Sequence, residues 1–376
     1  GNSAKVSCEM RKKLFVLGAN IVASFILLAS QRAWAQSAAD EAPKIVNGRL
    51  ETRALPGSLS QEFQRLLDKT AEPTWVGYAE PQVAGDRLLC CGNYDVTRDG
   101  VRGWCGNCRL EGRDDGTNVT SRDNGIVRLE GGQRVLVLFR VEQEQISKIR
   151  VVSEDCTLDA GGRTLIWLTG VKPPESVAWL KGFAVKEKHD GHGKHSVSDS
   201  ALTAIAMHAD TAADRALESF AAPDKPEELR KDTTFWLGEA RGKTGLAALE
   251  KMAKNDPSPD VREEISFAYS VSQEPGALND MIRMAHEDGS ARVRSQALFW
   301  LAQKAGEKAV GAIKGAIEND PDAEVKKQAV FALSQLPEDE GVPKLIEVAQ
   351  TNRNAEVRKQ AMFWLGQSED PRARVF

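Results

Sequence analysis

Five cysteines lie within one stretch of the sequence: the adjacent pair Cys90 and Cys91, the CxxC pair Cys105 and Cys108 in "GWCGNC", and Cys156 in "SEDCTL". Thiols at this density suit three chemistries. Four thiolates can hold zinc in a tetrahedral shell. A CxxC dithiol can cycle with its disulfide when a helix N-terminus lowers the pKa of one thiol. In an oxidising compartment the same residues close into structural bridges. The redox chemistry needs an apolar strand before Cys105 and an amphipathic helix after Cys108, and the flanks "DGVRG" and "RLEGRDDG" supply neither. The choice between zinc and bridges therefore turns on where the chain resides.

Residues 11–35, "RKKLFVLGANIVASFILLASQRAWA", have the layout of a secretory signal: a basic start, an apolar run from Leu14 to Ala29, and the small-x-small end Ala33-Trp34-Ala35. Cleavage is expected before Gln36. Met10 reads as the natural start, which sets Cys8 outside the protein. Losing residues 1–35 removes five basic groups and one acid, so the formal charge moves from −4 to −8. A chain this acidic, without a long basic run, is ill suited to phosphate backbones, and nucleic acid is not an expected partner. The expected location is periplasmic or secreted, with no stable membrane insertion after cleavage. There the five remaining cysteines are disulfide candidates rather than zinc ligands, and no metal or cofactor is expected. His189, His192 and His195 in "HDGHGKH" read as part of a solvated linker, since three ligands on a glycine-containing stretch make a weak metal site. No nucleophile elbow, phosphate-binding glycine loop or HExxH is present.

The elements around the thiols read as a small β-rich α+β domain over 61–184, preceded by a flexible linker over 36–60. A helix is expected near 60–69, strands at 134–142, 146–154 and 164–170, a hairpin turn within 126–133, and a closing helix near 174–183. Residues 185–196 form the interdomain linker.

From residue 197 onward the chain repeats itself. Val197, Leu229, Val261, Val293, Val325 and Val357 are spaced 32 residues apart at every step. A constant period of this size, with two helical stretches per unit, marks an α-solenoid. In each first helix the anchor, the residue four later (Ala297, Ala329, Ala361) and the leucine eight later (Leu301, Leu333, Leu365) share one face, which Phe299, Phe331 and Phe363 are expected to widen. Second helices bring Val310, Ile313 and Ile317, or Val342, Leu345, Ile346 and Ala349.

The turns carry a charge ladder. Five residues before the anchor stands Asp224, Asp256, Asp288, Asp320 or Asn352; one after it stands Arg230, Arg262, Arg294, Lys326 or Arg358. Helix capping and inter-repeat pairing are the expected role of these positions, and a recurrent ligand-contact stripe is the alternative. Ser258, Ser290, Asp322 and Asn354 are expected N-caps. Seven residues past the anchor the side chain alternates between alanine and tryptophan: Ala204, Trp236, Ala268, Trp300, Ala332, Trp364. Complementary packing of large against small is one reading; the other makes Trp236, Trp300 and Trp364 anchors for a partner, since tryptophan is enriched at hot spots. After Val357 the sequence ends at "SEDPRARVF", which reads as a stop before a second helix and hence a truncated array.

The segment "DPDAEVKKQAVFAL" (320–333) resembles the HEAT repeats of the phycobilisome-lyase type, and the resemblance runs from Val197 to Phe376. It implies an α-solenoid. It implies a scaffold or partner-binding surface more than an activity, and no residue matches a bilin-binding motif. The Cys-containing region followed by such an array resembles secreted bacterial HEAT-repeat proteins. The expected function is a non-enzymatic exported scaffold with a protein partner. The alternatives are an envelope thiol-disulfide oxidoreductase using Cys105 and Cys108, or a metal-binding protein.

Overall fold

The computed structural model describes residues 41–70, 72–85, 89, 94–97, 100–105, 108–111, 127–128, 132–185, 196–305 and 307–376. Cys90, Cys91, the expected signal segment and the three-histidine stretch lie outside them. Two compact units are formed, with the boundary after Trp179.

The first unit contains β1 (Ile45–Val46), β2 (Arg49–Ala54), α1 (Leu59–Lys69), β3 (Thr74–Pro81), β4 (Tyr94–Thr97), β5 (Gly100–Cys105), β6 (Cys108–Arg109), β7 (Val127–Arg128), β8 (Arg134–Glu142), β9 (Gln145–Ser153), β10 (Leu158–Asp159) and β11 (Thr164–Thr169), and most of α2 (Pro173–Ala184). Its centre is a five-stranded mixed sheet in the order β2-β11-β3-β8-β9. β11 runs parallel to both β2 and β3, whereas β3, β8 and β9 are antiparallel. The β8–β9 turn is the two-residue loop Gln143–Glu144, both at positive φ (49° and 60°), whose twist matches that of a hairpin.

Both faces of the sheet are covered, which is why β8 reads "RVLVLFRVE" with little alternation. On one face Trp75, Ala79, Leu136, Leu138, Leu165 and Trp167 join Cys108, Val152, Cys156 and Leu158 in one apolar cluster. Gly77 makes room there: a Cβ would collide with Leu138 and press on the Trp167 indole. On the other face Phe63 of α1 packs edge-on to Phe139 (4.7 Å) and stacks with Trp179 (4.9 Å). Tyr78 Oη and Ser176 Oγ are hydrogen-bonded at 2.7 Å.

The flexible linker expected over 36–60 is corrected from Ile45 onward. β2 pairs with β11 along all six of its residues, from Arg49 against Thr164 to Ala54 against Thr169. It is an edge strand whose side chains are mostly exposed, so the backbone ladder holds it while its polar sequence "RLETRA" imitates a linker.

The second unit is a series of helix pairs: α3 (Val197–Met207) and α4 (Thr211–Phe220); α5 (Glu227–Ala240) and α6 (Gly242–Asn255); α7 (Pro259–Val271) and α8 (Ala277–Glu287); α9 (Ala291–Ala305) and α10 (Glu307–Asn319); α11 (Ala323–Ser334) and α12 (Glu338–Thr351); α13 (Ala355–Gln367) and α14 (Pro371–Val375). Each 32-residue period holds one pair, so the architecture is the expected HEAT-like solenoid. Val261, Val293, Val325, Ala297, Ala329, Ala361, Leu301 and Leu333 are fully buried. First helices pack on first helices of the next pair, as α5 does on α7 and α9 on α11. α5 and α7 approach closely at Gly238, where a Cβ would collide with the Ala268 carbonyl.

Two expectations about the array are corrected. A second helix does form after Val357: α14 is a short turn started by Pro371 and capped by Asp370, whose carboxylate accepts from the Arg372 N–H at 2.7 Å. The phenylalanines are not part of the buried stripe. At about 100° per residue, a position six past the anchor lies about 160° from the middle of a stripe built on residues zero, four and eight. Phe299 and Phe331 are accordingly half-buried and Phe363 is 53% exposed.

Candidate partner-binding face

The charge ladder is built into the array as a clamp between repeats. Arg294 donates from Nε to Asp320 Oδ2 (2.7 Å) and from Nη2 to Asp320 Oδ1 (2.9 Å), while its Nη1 donates to the Asp288 carbonyl (2.8 Å). Arg262 holds Asp288 and the Asp256 carbonyl in the same way, and Arg230 holds Asp256 (2.8 and 3.1 Å) and the Lys225 carbonyl. The aspartates also cap the turns: Asp256, Asp288 and Asp320 each accept from the backbone N–H two residues on, at 2.8 to 2.9 Å. Burial opposes ionisation of Asp320, but the Arg294 hydrogen bond and the Asp322 N–H outweigh it and hold the carboxyl below its ordinary value. Hydrogen bonding to Asp320 raises Arg294.

The expected pairing stops at three positions. Asp224 is exposed and, among the described residues, meets only its neighbour Lys225 (2.9 Å), because the preceding repeat has Ser198 where the arginine would stand. Lys326 donates to the Ile317 and Glu318 carbonyls (3.1 and 2.6 Å). Arg358 donates to the Asn352 and Arg353 carbonyls (2.8 and 3.1 Å). Where lysine replaces arginine, the next aspartate is Asn352, so no buried carboxylate is left without its counterion. Ser258, Asp322 and Asn354 cap their helices as expected.

The tryptophans stand differently. Ala204, Ala268 and Ala332 are fully buried, so the position seven past the anchor lies at the edge of the core. An indole there cannot fit beneath the neighbouring helix and emerges beside it: Trp236, Trp300 and Trp364 are all partly exposed. Each indole then meets the phenylalanines. Phe235 stacks with Phe267 (6.0 Å), Phe267 meets Trp300 (4.7 Å, 43°), Trp300 meets Phe299 (5.0 Å), Phe299 stacks with Phe331 (6.3 Å), and Phe331 meets Trp364 (4.9 Å, 45°). Trp236 and Phe363 extend the two ends. The result is one continuous row of eight rings across α5, α7, α9, α11 and α13. Nε1 of Trp300 and of Trp364 is buried with no acceptor, so ring carbon is what these residues offer outward. Between Phe267 and Trp300 lies a groove of about 290 Å3, also lined by Glu263, Glu264 and Gln296.

Sequence reasoning singled out the three tryptophans and missed Phe235, Phe267 and the groove residues. The signal was available: phenylalanine stands six past the anchor in five consecutive repeats. A position that carries an aromatic at that angle faces away from the core.

The thiols are distributed between strands. Cys108 and Cys156 are buried and each is disulfide-bonded. Cys105 ends β5 and Cys108 begins β6, so the CxxC segment leads from strand to strand. Cys108 thus opens a strand rather than the helix whose N-terminus would stabilise a thiolate. Among the described residues no group of three or more His, Cys, Asp or Glu is placed to hold a metal ion, and no helix is long and apolar enough to cross a membrane.

Residues 278–366 match the family model for HEAT repeats. Human deoxyhypusine hydroxylase, solved in complex with glycerol, is similar at 16% identity and a TM-score of 0.29, over 54% of this chain and 88% of that one. The complex of CpcE and CpcF of phycocyanin lyase from Nostoc sp. PCC7120 is similar at 19% identity and a TM-score of 0.30, over 52% of this chain and 76% of that one. No curated protein matches the chain.

Proposed function

We propose that this HEAT-like repeat chain is a non-enzymatic exported scaffold, periplasmic or secreted, which binds a protein partner along the row of rings on its first helices. The observation that carries the reading is the ring row itself. Five phenylalanines and three tryptophans are kept partly in water at repeating positions, although alanine packs fully at the tryptophan sites of alternate repeats. Aromatic side chains in such numbers supply large contact area at small entropic cost, and a few of them can dominate an interface. The signal-like segment at 11–35 and the bridged Cys108 and Cys156 support an oxidising destination. The strand-to-strand course of the CxxC segment supports a structural use of its thiols over redox turnover.

The test compares the full chain with Phe267→Ala/Trp300→Ala/Phe331→Ala/Trp364→Ala as bait in an envelope extract, with bound proteins quantified by mass spectrometry. The reading expects a defined protein on the intact chain and at least about a tenfold loss on the variant, as for removal of hot spots. Equal recovery on both baits would refute it.

A further inference from the structure

The groove between Phe267 and Trp300 is lined by two carboxylates, Glu263 and Glu264, where the equivalent positions beside Phe331 and Trp364 carry Lys327 and Gln328. We propose that it accepts an arginine side chain from a basic segment of the partner protein. This rests on the partner-binding reading above and adds the chemistry of the partner.

Three features point to a guanidinium. The Phe267 and Trp300 rings stand 4.7 Å apart at 43° and line the groove, and aromatic faces attract a flat, weakly hydrated cation. Glu263 and Glu264 line the same groove, with the Gln296 amide beside them. The site already holds a guanidinium at its rim: Arg292 Nε lies 2.6 Å from Glu263 Oε1 and its Nη2 lies 2.7 Å from Asp260 Oδ1. The Arg292 side chain is 67% exposed, so the pairing is weakly held and exchangeable. The surrounding charges leave a deficit of cations, since Glu228, Asp260, Glu263 and Glu264 are set against Lys231 and Arg292. At about 290 Å3 the groove is at the lower limit for drug-sized ligands, about 300 Å3, and suits one long side chain.

The array supplies its own control. Two repeats further on, Phe331 and Trp364 stand in the same geometry, 4.9 Å apart at 45°. There Lys327, bound to Glu324 at 2.8 Å, replaces Glu263, and Gln328 replaces Glu264. Equal rings with opposite charge make the first site selective for a cation and the second indifferent to it.

The experiment is fluorescence anisotropy of a labelled hexa-arginine peptide titrated with the full chain at about 0.15 M salt, where long-range attraction is screened. Glu263→Gln/Glu264→Gln is expected to weaken binding by about tenfold, as is Phe267→Ala/Trp300→Ala. The charge-matched Glu287→Gln/Glu318→Gln, on exposed carboxylates of second helices, should leave it unchanged. Equal weakening by Glu287→Gln/Glu318→Gln would reduce the effect to diffuse charge and overturn the proposal, as would tight binding of a hexaglutamine peptide. Capture of the partner separates the two readings. If Glu263→Gln/Glu264→Gln retains the partner while the fourfold ring variant loses it, the arginine site falls and the ring row stands. If the fourfold ring variant also retains it, the ring row falls.

Discussion

Replacing Arg294 by methionine removes one half of a buried clamp and leaves the other half charged. The Arg294 and Asp320 side chains are 9% and 4% exposed, and without the guanidinium Asp320 keeps only the Asp322 N–H at 2.8 Å. A carboxylate stranded in this way costs about 3–5 kcal/mol. The array also contains its own remedy, the Lys326 and Asn352 combination, in which the lysine caps carbonyls and no carboxylate is buried. Arg294→Lys/Asp320→Asn should therefore lose less than half of what Arg294→Met loses at pH 7. Acid should narrow the gap. Asp320 is held below its ordinary value in the folded chain, so its contribution is complete above the unfolded carboxyl pKa, about 3.9, and disappears as pH falls through the folded value. Urea unfolding followed by tryptophan fluorescence measures the loss, and hydrogen exchange of the α9 and α11 amides locates it. A cost below about 1 kcal/mol for Arg294→Met, the level of an exposed pair, would refute the clamp. So would a double variant as unstable as the single one.

Burial lowers the pKa of His208 to about 4, even though its Nδ1 lies 2.6 Å from the Ala204 carbonyl. The unfolded chain binds this proton first, so stability is complete above about pH 6.5 and should fall by about 3 kcal/mol as pH drops to 4, a slope that His208→Gln flattens in urea titrations. Trp300→Ala should cost only about 1–2 kcal/mol because the indole is partly exposed, whereas Leu301→Ala, fully buried, should cost about 2–5 kcal/mol; equal thermal shifts would contradict the surface placement of the rings. Reduction of the bridges at Cys108 and Cys156 should destabilise the sheet unit by about 2–5 kcal/mol and leave the helical unit unchanged, seen as a shift in one calorimetric transition only.

The repeat unit was legible because its contacts are local in sequence. An aspartate always follows the clamping arginine by the same interval, and each anchor starts a helix whose partner is the next helix of the chain. The angular position of the phenylalanines was equally open to arithmetic, yet their apolar character drew them into the core stripe. The sheet unit was less legible. β11 lies between β2 and β3, whose sequence separations from it no local pattern encodes, and β2 is held by backbone pairing that its polar side chains conceal. The groove could not be read from sequence, because Glu263 and Gln296 belong to different repeats and meet only through the stacking of α7 on α9.

The most direct test of the ring row as a partner-binding face is site-specific photo-crosslinking in the living envelope. Benzoylphenylalanine would be placed in turn at Phe267, Phe299 and Phe331, and at the exposed Glu287 on the second-helix side as control. The account predicts one common protein crosslinked from the three ring positions and absent from Glu287. Crosslinks from Glu287 with none from the ring positions would contradict it.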